Sequence, residues 1–141
     1  EIILAGRRIN DSMGDFVATE VLKLMAKKTI DVQKAKVLML GITFKENCPD
    51  IRNTKAIDVY NTLKSFHMNV DVYDPWASKE EVKKEYGFDI IKKIGPEYDV
   101  IIHTVAHREF EKLNFNAIKS TNSIVYDVKG TLKLSQIDKR L

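Results

Sequence analysis

Two cations follow the first hydrophobic segment of this chain and could hold an anion. Residues 37–41 read VLMLG, and the polar segment after them contains Lys45 and Arg52. In an open α/β sheet, ligands bind beyond the carboxyl ends of the strands. A guanidinium can bind a phosphate or carboxylate through two parallel hydrogen bonds, and an ammonium adds a compact charge. The residue types and their position therefore predict an anion-binding loop over residues 42–52.

The same loop lacks the glycines of a dinucleotide-binding turn. That turn reads G-x-G-x-x-G and lets backbone amides approach a pyrophosphate closely. Here a single glycine, Gly41, precedes ITFKENCPDIR. We therefore expect the loop to present side chains to a ligand instead of bare backbone amides.

A third cation, Lys129, follows a later hydrophobic segment. Because the loops after parallel strands share one edge, we expect residues 42–52, the turn at 73–75 and residues 127–130 to converge there. Lys45, Arg52 and Lys129 would then crowd one crevice and hold phosphates or carboxylates. Two alternatives stay open. These can be ordinary solvated cations, since the chain has 23 Lys and Arg residues in 141, or they can pair internally with Asp50 and Asp127.

Nucleophilic and metal chemistry are not favoured by the pattern. A catalytic thiol needs a base or a helix N-terminus to lower its pKa, and no histidine lies near Cys48 in the sequence. His103 and His107 have i, i+4 spacing, but a strand is predicted to end between them, so they would not share a helical face as a metal pair does. We predict no catalytic residue and no metal ligand in this chain.

Composition favours one globular domain in a reducing compartment. The apolar share is 44%, and 23 basic residues oppose 20 acidic ones without clustering, which does not favour nucleic acid as a partner. The single cysteine excludes an internal disulfide. Because no apolar run approaches the ~20 residues that span a bilayer, we expect a cytoplasmic protein with no membrane partner.

Hydrophobic periodicity predicts alternating strands and helices. A long amphipathic helix over residues 13–30 comes first, and residues 88–91 could add an edge strand. A short helix is predicted within 134–141. Between these lie strands at 36–43, 69–74, 98–104 and 122–127, and helices at 53–66, 78–86 and 107–118.

These elements predict an α/β fold. Strands such as VLMLG and DVIIHTV are continuously apolar, as expected when helices cover both faces of a sheet. The order of elements favours a Rossmann-like, doubly wound and mostly parallel sheet in three αβα layers, preceded by a long helix. Residues 35–141 would form the sheet domain, and residues 1–34 the end of a helix that arrives from elsewhere.

Four segments together carry a resemblance to a known family. They are RINDSM at 8–13, GITFKENCPDIRN at 41–53, YDP at 73–75 and DVKG at 127–130. In this order they closely resemble the UDP-glucose/GDP-mannose dehydrogenase family, specifically its C-terminal, UDP-binding domain and the end of its central helix. The sequence TFKENCPDIRN is similar to that of the branch that acts on UDP-N-acetylhexosamines.

The resemblance implies an NAD-dependent oxidation of a sugar CH2OH group to a carboxylate for surface polysaccharide synthesis. It implies that Phe44, Lys45 and Lys129 contact the UDP-sugar, and that Arg52 reaches NAD bound mainly by another domain. The family's catalytic cysteine lies in that other domain, and Cys48 does not match it. Some relatives carry Arg at the position of Lys129. An arginine there could form two parallel hydrogen bonds with the ligand, whereas Lys129 would offer a single compact charge.

The resemblance also implies a homodimer through the central helix, residues 1–34 here. We expect the chain to be a fragment that is inactive alone and that exposes the apolar stripe of this helix or self-associates through it. The competing hypothesis is a stand-alone nucleotide-binding or regulatory module that has the fold without the chemistry.

Overall fold

The computed structural model describes residues 13–141. The part of the predicted helix before Met13, and most of the RINDSM segment, lie outside the described residues. Helices are α1 (Met13–Lys27), α2 (Ala56–Ser65), α3 (Lys79–Tyr86) and the single turn α4 (Phe115–Ile118). Strands are β1 (Lys36–Leu40), β2 (Asn69–Tyr73), β3 (Tyr98–His103), β4 (Lys119–Asp127) and β5 (Lys139–Arg140). Short 3-10 helices cover Arg108–Lys112 and Leu134–Gln136.

The five strands form one sheet in the order β2-β1-β3-β4-β5, and every pairing is parallel. The predicted α/β, Rossmann-like class is therefore confirmed. The chain runs from β1 to β2 on one side and returns to β3 on the other side of β1. The topological switch point thus lies between β1 and β3, where open α/β sheets bind ligands.

Both faces of the sheet are buried, which explains the continuous apolar strands. Alternate residues of β1 belong to different cores: Val37 and Met39 pack with α1 and α2, while Leu38 and Leu40 pack with Phe110 and Phe115 on the opposite face. The side chains of successive strand residues point to opposite faces, so an unbroken hydrophobic run fills both layers.

Helix α1 packs in the core that contains Val37 and Met39. Its residues Val17, Ala18, Val21 and Met25 have no exposed surface and lie in the same cluster as Val37 and Val100 of the sheet. The expectation of an exposed apolar stripe is therefore wrong for residues 13–27. The stripe is covered by the sheet domain of the same chain, and Phe16, 52% exposed, is the large apolar side chain that α1 leaves in contact with solvent.

Three predicted elements differ from the observed ones. The predicted helix at 107–118 is a 3-10 helix followed by one α-turn, because Leu113 and Asn114 are extended and Asn114 caps the turn through its side chain. The segment at 88–91 forms a single bridge between Ile91 and Tyr73. In the tail, the predicted short helix is limited to the 3-10 helix Leu134–Gln136, and the chain then continues as β5 beside β4.

In the range 13–141, the structure has no helix long and apolar enough to cross a membrane.

Candidate functional site

The site begins where β1 ends. Gly41 adopts a φ of 107°, and a side chain at this position would collide with Val105. This conformation favours glycine, and it turns the chain sharply out of the sheet. The strand therefore ends at Leu40, three residues earlier than predicted, and residues 42–55 form the loop above the switch point.

A buried carboxylate occupies the position next to the loop amides. Asp74, 4% exposed, accepts the backbone N–H groups of Ile42 at 2.7 Å and Thr43 at 3.1 Å through Oδ2. Its Oδ1 accepts the N–H groups of Trp76 and Ala77. In a dinucleotide-binding turn, the amides after the first strand meet a pyrophosphate. Here the amides of Ile42 and Thr43 already bind an internal anion, which agrees with the expected absence of a backbone cradle.

A buried histidine completes this arrangement. The side chain of His107 has no exposed surface, and its Nε2 lies 3.0 Å from the Asp74 carboxylate and 3.1 Å from Thr43 Oγ1. Its Nδ1 accepts the N–H of Asn47 at 2.9 Å. The ring thus connects the loop after β1 with the loop after β3.

A second histidine and aspartate lie at the ends of β3 and β4. His103 and Asp127 are register partners in the sheet, and His103 Nδ1 lies 2.8 Å from Asp127 Oδ1. Burial lowers the pKa of His103, so the imidazole is neutral near pH 7. Burial also raises the pKa of Asp127, but hydrogen bonds from His103 and from the Leu132 backbone outweigh it and hold this pKa below its ordinary value.

Asp127 also shapes the segment that carries Lys129. Its Oδ1 accepts the backbone N–H of Lys129 at 3.1 Å, and its Oδ2 accepts that of Leu132 at 2.9 Å. The carboxylate therefore folds residues 127–132 into a turn above the strand end. The open alternative that one of the three cations pairs with Asp127 is not what the structure shows: the side-chain partner of Asp127 is His103, and Lys129 contacts it through its backbone amide.

Two cavities border this turn. The smaller, about 170 Å³, is lined by Phe44, Thr104 and Lys129 together with residues of α1 and α2. The larger, about 790 Å³, is lined by His103, His107 and Lys129 among others. Since ligand sites for drug-sized molecules occupy roughly 300–1,000 Å³, the smaller cavity has room for only part of such a ligand. Lys129 lines both cavities.

The other two predicted cations lie elsewhere. Lys45 is exposed in the loop after β1 and is not among the residues that line the cavity beside Phe44. Arg52 lies in a separate depression with Cys48, Glu81 and Glu85. Its Nε and Nη2 donate to Asp50 at 3.1 and 3.3 Å.

The expectation that Lys45, Arg52 and Lys129 crowd one crevice is therefore wrong, because Lys129 lines the two cavities and neither Lys45 nor Arg52 does. The loop folds back on itself through a hydrogen bond from the Phe44 amide to the Asp50 carbonyl at 2.7 Å. The Tyr86 hydroxyl donates to the Ile51 carbonyl from α3. These contacts turn Arg52 toward α3, and its internal pairing with Asp50 is the alternative that the sequence left open.

Within residues 13–141, no three His, Cys, Asp or Glu side chains are arranged to hold a metal ion. Cys48 is partly exposed, and the charged side chains that line its depression are Asp50, Arg52, Glu81, Lys84 and Glu85.

Sequence reasoning weighed His103 and His107 as metal ligands and missed their role as partners of strand-end aspartates. A signal for this role was present in the sequence. Tyr-Asp occurs at the ends of two predicted strands, as Tyr73-Asp74 and Tyr126-Asp127. A carboxylate that the fold buries at a strand end needs hydrogen-bond donors.

Comparison with known proteins decides the family. The model of the UDP-glucose/GDP-mannose dehydrogenase family, UDP binding domain, matches residues 38–134. The chain belongs to this family. The match covers β2, β3, β4, most of β1 and both loops of the site, and the resemblance seen in the sequence is confirmed.

Two curated relatives of this dehydrogenase family match the chain over all or nearly all of its length. The UDP-N-acetyl-D-glucosamine 6-dehydrogenase of Salmonella typhi is 46% identical over 145 residues, which are 100% of this chain and 34% of that protein. Protein CapL of Staphylococcus aureus is 43% identical over 98% of this chain and 33% of its own length. The chain thus spans about a third of these relatives and corresponds to their C-terminal domain.

Solved structures of two dehydrogenases share the fold. The NDP-N-acetyl-D-galactosaminuronic acid dehydrogenase of Methanosarcina mazei Go1 superimposes with a TM-score of 0.83 at 19% identity, over 96% of this chain and 29% of that one. The UDP-N-acetyl-mannosamine dehydrogenase Cap5O of S. aureus gives a TM-score of 0.74 at 22% identity, over 96% of this chain and 31% of that one. At such identities the likeness establishes the architecture.

Proposed function

We propose that this chain is the UDP-sugar-binding domain of an NAD-dependent nucleotide-sugar 6-dehydrogenase. The complete enzyme would oxidise the C6 hydroxymethyl group of a UDP-N-acetylhexosamine to a carboxylate for surface polysaccharide synthesis. The observation that carries the proposal is the 46% identity over the full chain to a UDP-N-acetyl-D-glucosamine 6-dehydrogenase.

The same comparison favours N-acetylglucosamine as the sugar. Relatives named for UDP-N-acetyl-D-glucosamine are 46% and 45% identical to this chain, whereas those named for UDP-N-acetyl-D-mannosamine are 25% to 31% identical. A panel of UDP-sugars assayed with the full-length enzyme tests this choice. A preference for the mannosamine derivative would overturn it.

In this proposal the chain binds and orients the substrate. Phe44 is 55% exposed and lines a cavity with Lys129, so an aromatic face and a cation are available to one ligand. Lys45 follows Phe44 on the same loop and adds a second positive charge for the pyrophosphate. The catalytic cysteine would come from the remainder of the enzyme.

This chain does not contain a complete binding site for NAD. The Ile42 and Thr43 amides donate to Asp74, and two nitrogens of the Arg52 guanidinium donate to Asp50. NAD, which supplies the hydride acceptor, would be held mainly by the other domain. We propose that Arg52, whose side chain is 78% exposed, contributes one cation to it across the interdomain cleft.

The remaining assignments rest on the family resemblance. We propose a cytoplasmic enzyme that forms a homodimer through the helix that includes α1. Residues 1–34 would be the end of that central helix, and residues 35–141 the UDP-sugar-binding domain. In this arrangement α1 packs on its own domain through Val17 and Val21 and turns Phe16 outward.

Calorimetry with UDP tests the binding role. Lys45→Ala removes a charge-assisted contact, and we expect UDP affinity to fall about tenfold. Lys93→Ala is the matched control, because Lys93 is an exposed lysine in the loop that leads to the amino end of β3. Equal UDP affinity in the Lys45 variant and the unsubstituted chain would contradict the role of Lys45 in UDP binding. If the unsubstituted chain does not bind UDP at all, the result would favour the competing hypothesis of a module that has the fold without the dehydrogenase chemistry.

Arg52→Ala in the full-length enzyme tests the cofactor role. We expect the KM for NAD+ to rise more than the KM for the sugar nucleotide, and direct NAD+ binding by calorimetry to weaken in parallel. The reverse pattern would assign Arg52 to the sugar nucleotide instead.

A further inference from the structure

A single imidazole contacts the chain on both sides of Phe44 and Lys45. His107 Nε2 lies 3.1 Å from Thr43 Oγ1, and His107 Nδ1 lies 2.9 Å from the Asn47 nitrogen. Thr43 and Asn47 bracket the segment Phe44-Lys45-Glu46. The ring therefore fixes the distance between the two ends of the segment that carries the proposed ligand contacts.

The hydrogen bonds define one protonation pattern for the ring. A backbone N–H can only donate, so Nδ1 accepts from Asn47 and the ring proton sits on Nε2. The Nε2–H then donates toward the Asp74 carboxylate and Thr43 Oγ1. Thr43 Oγ1 in turn donates to the Lys45 carbonyl at 3.1 Å, so the chain of hydrogen bonds reaches the backbone of Lys45 itself.

Neighbouring groups strengthen this attachment. The Arg108 amide donates to Asn47 Oδ1 at 2.9 Å, which ties the loop to the residue after His107. Asn47 has a φ of 55°, a conformation that asparagine tolerates better than most residues. Asp74 holds the Ile42 and Thr43 amides independently of His107, so the base of the loop has a second anchor.

We propose that His107 is a positioning residue for ligand binding, which holds Phe44 and Lys45 in the conformation that meets the anionic sugar nucleotide. The proposal deepens the proposed function and rests on it. His107 acts through the Thr43 hydroxyl and the Asn47 amide, so its contribution to binding depends on the side chains that this segment presents.

Two substitutions separate the two ring nitrogens. An asparagine amide oxygen can take the place of Nδ1, so His107→Asn can still accept the Asn47 amide. A glutamine amide takes the place of Nε2, so His107→Gln keeps the donor to Asp74 and loses the acceptor. Hydrogen exchange of the Asn47 amide, followed by NMR, should be roughly tenfold faster in His107→Gln than in the unsubstituted chain. It should return most of the way to the original rate in His107→Asn.

A double-mutant cycle with Lys45→Ala measures the link to binding. With UDP as the probe, we expect His107→Gln to weaken affinity about fivefold. The double variant His107→Gln, Lys45→Ala should lose clearly less UDP affinity than the sum of the two single losses, because the ring acts in part through the lysine.

Tyr98→Phe is the matched structural control. It removes a buried hydroxyl that donates to Asp71 at 2.8 Å near the amino end of β3, away from the loop. It should lower Tm without changing UDP affinity.

The outcomes distinguish the two proposals. Affinity losses that add fully in the double variant, or unchanged Asn47 exchange in His107→Gln, would overturn the positioning role while leaving UDP binding intact. A Tyr98→Phe variant that loses as much affinity as His107→Gln would also overturn it, since general destabilisation would then explain both. An unsubstituted chain that does not bind UDP would overturn the proposed function and this inference with it.

Discussion

At the scale of single residues, two buried aspartates at strand ends organise the site. Asp74 accepts four backbone N–H groups and lies beside His107, and Asp127 accepts two backbone N–H groups and lies beside His103. A buried carboxylate is costly unless such donors surround it. Here that requirement fixes the turns that carry Phe44, Lys45 and Lys129.

Stability should fall as the pH is lowered from 7 to 5. Burial lowers the pKa of His103 below that of an unfolded histidine, about 6.5. The unfolded chain therefore binds a proton first, and the free energy of unfolding decreases as the pH drops below about 6.5. Asp127, whose pKa is also lowered, adds a second loss below about pH 4. Urea titrations at several pH values measure both slopes.

The variant His103→Asn tests whether His103 causes the loss of stability between pH 7 and 5. Its amide can still donate to Asp127 but does not titrate, so the variant should show a shallower dependence between pH 7 and 5. His67→Asn is the control, because His67 is exposed and has a φ of 61° that asparagine accepts. The interpretation would be wrong if both variants kept the full slope.

At the scale of elements, α1 and α2 pack unusually closely. A methyl group added at Gly14 of α1 would lie 2.6 Å from the carbonyl carbon of Asp58 in α2 and 2.7 Å from its oxygen. The Thr62 hydroxyl of α2 also donates to Asp15 of α1 at 3.0 Å. Glycine is required here by the close approach of the two helices and not by its own backbone angles.

Gly14→Ala should destabilise the protein although alanine favours helices. The gain in helix propensity is about 1 kcal/mol, whereas overpacking against a backbone costs about 1–3 kcal/mol because the contacted atoms cannot move aside easily. We expect a net loss in the free energy of unfolding, measured by urea denaturation. Thr19→Ala, at an exposed position of the same helix, is the control, and a stabilised Gly14→Ala variant would contradict the packing.

At the scale of the whole molecule, the tail joins the first helix to the last long strand. Asp138 Oδ2 accepts the Val125 amide at 2.7 Å, and Asp138 Oδ1 accepts from Lys28 at 3.0 Å. Lys139 of β5 also donates to Glu20 of α1. The contacts of Asp138 with Lys28 and of Lys139 with Glu20 connect positions more than 100 residues apart, so the tail holds α1 against the far edge of the sheet.

Asp138→Ala should cost about 1–2 kcal/mol of stability, because it leaves the partly buried Val125 amide without its carboxylate partner. Thermal unfolding followed by circular dichroism measures the loss. Asp89→Ala is the control, since Asp89 forms an exposed surface ion pair with Lys83 at 3.8 Å. Equal effects of the two substitutions would show that the tail contact adds nothing beyond surface charge.

Local sequence predicted most of the architecture. The apolar strands and the amphipathic helices of residues 13–86 follow from periodicity, and the four longest strands occur where expected, because these patterns record which faces are buried. The segments after His107 and after Lys133 were predicted less well. Their conformation depends on partners elsewhere in the chain, such as β4 for the tail strand β5.

The sequence by itself determined the family, the parallel α/β class and the loops that bear the site. Long-range contacts decided which of the predicted residues meet. Phe44 and Lys129 share a cavity, whereas Arg52 turns toward α3 because its loop closes on Asp50. Only the fold brings His107 to Asp74 and Asn47, since a hydrogen bond between residues 33 or 60 positions apart leaves no periodic trace in the chain.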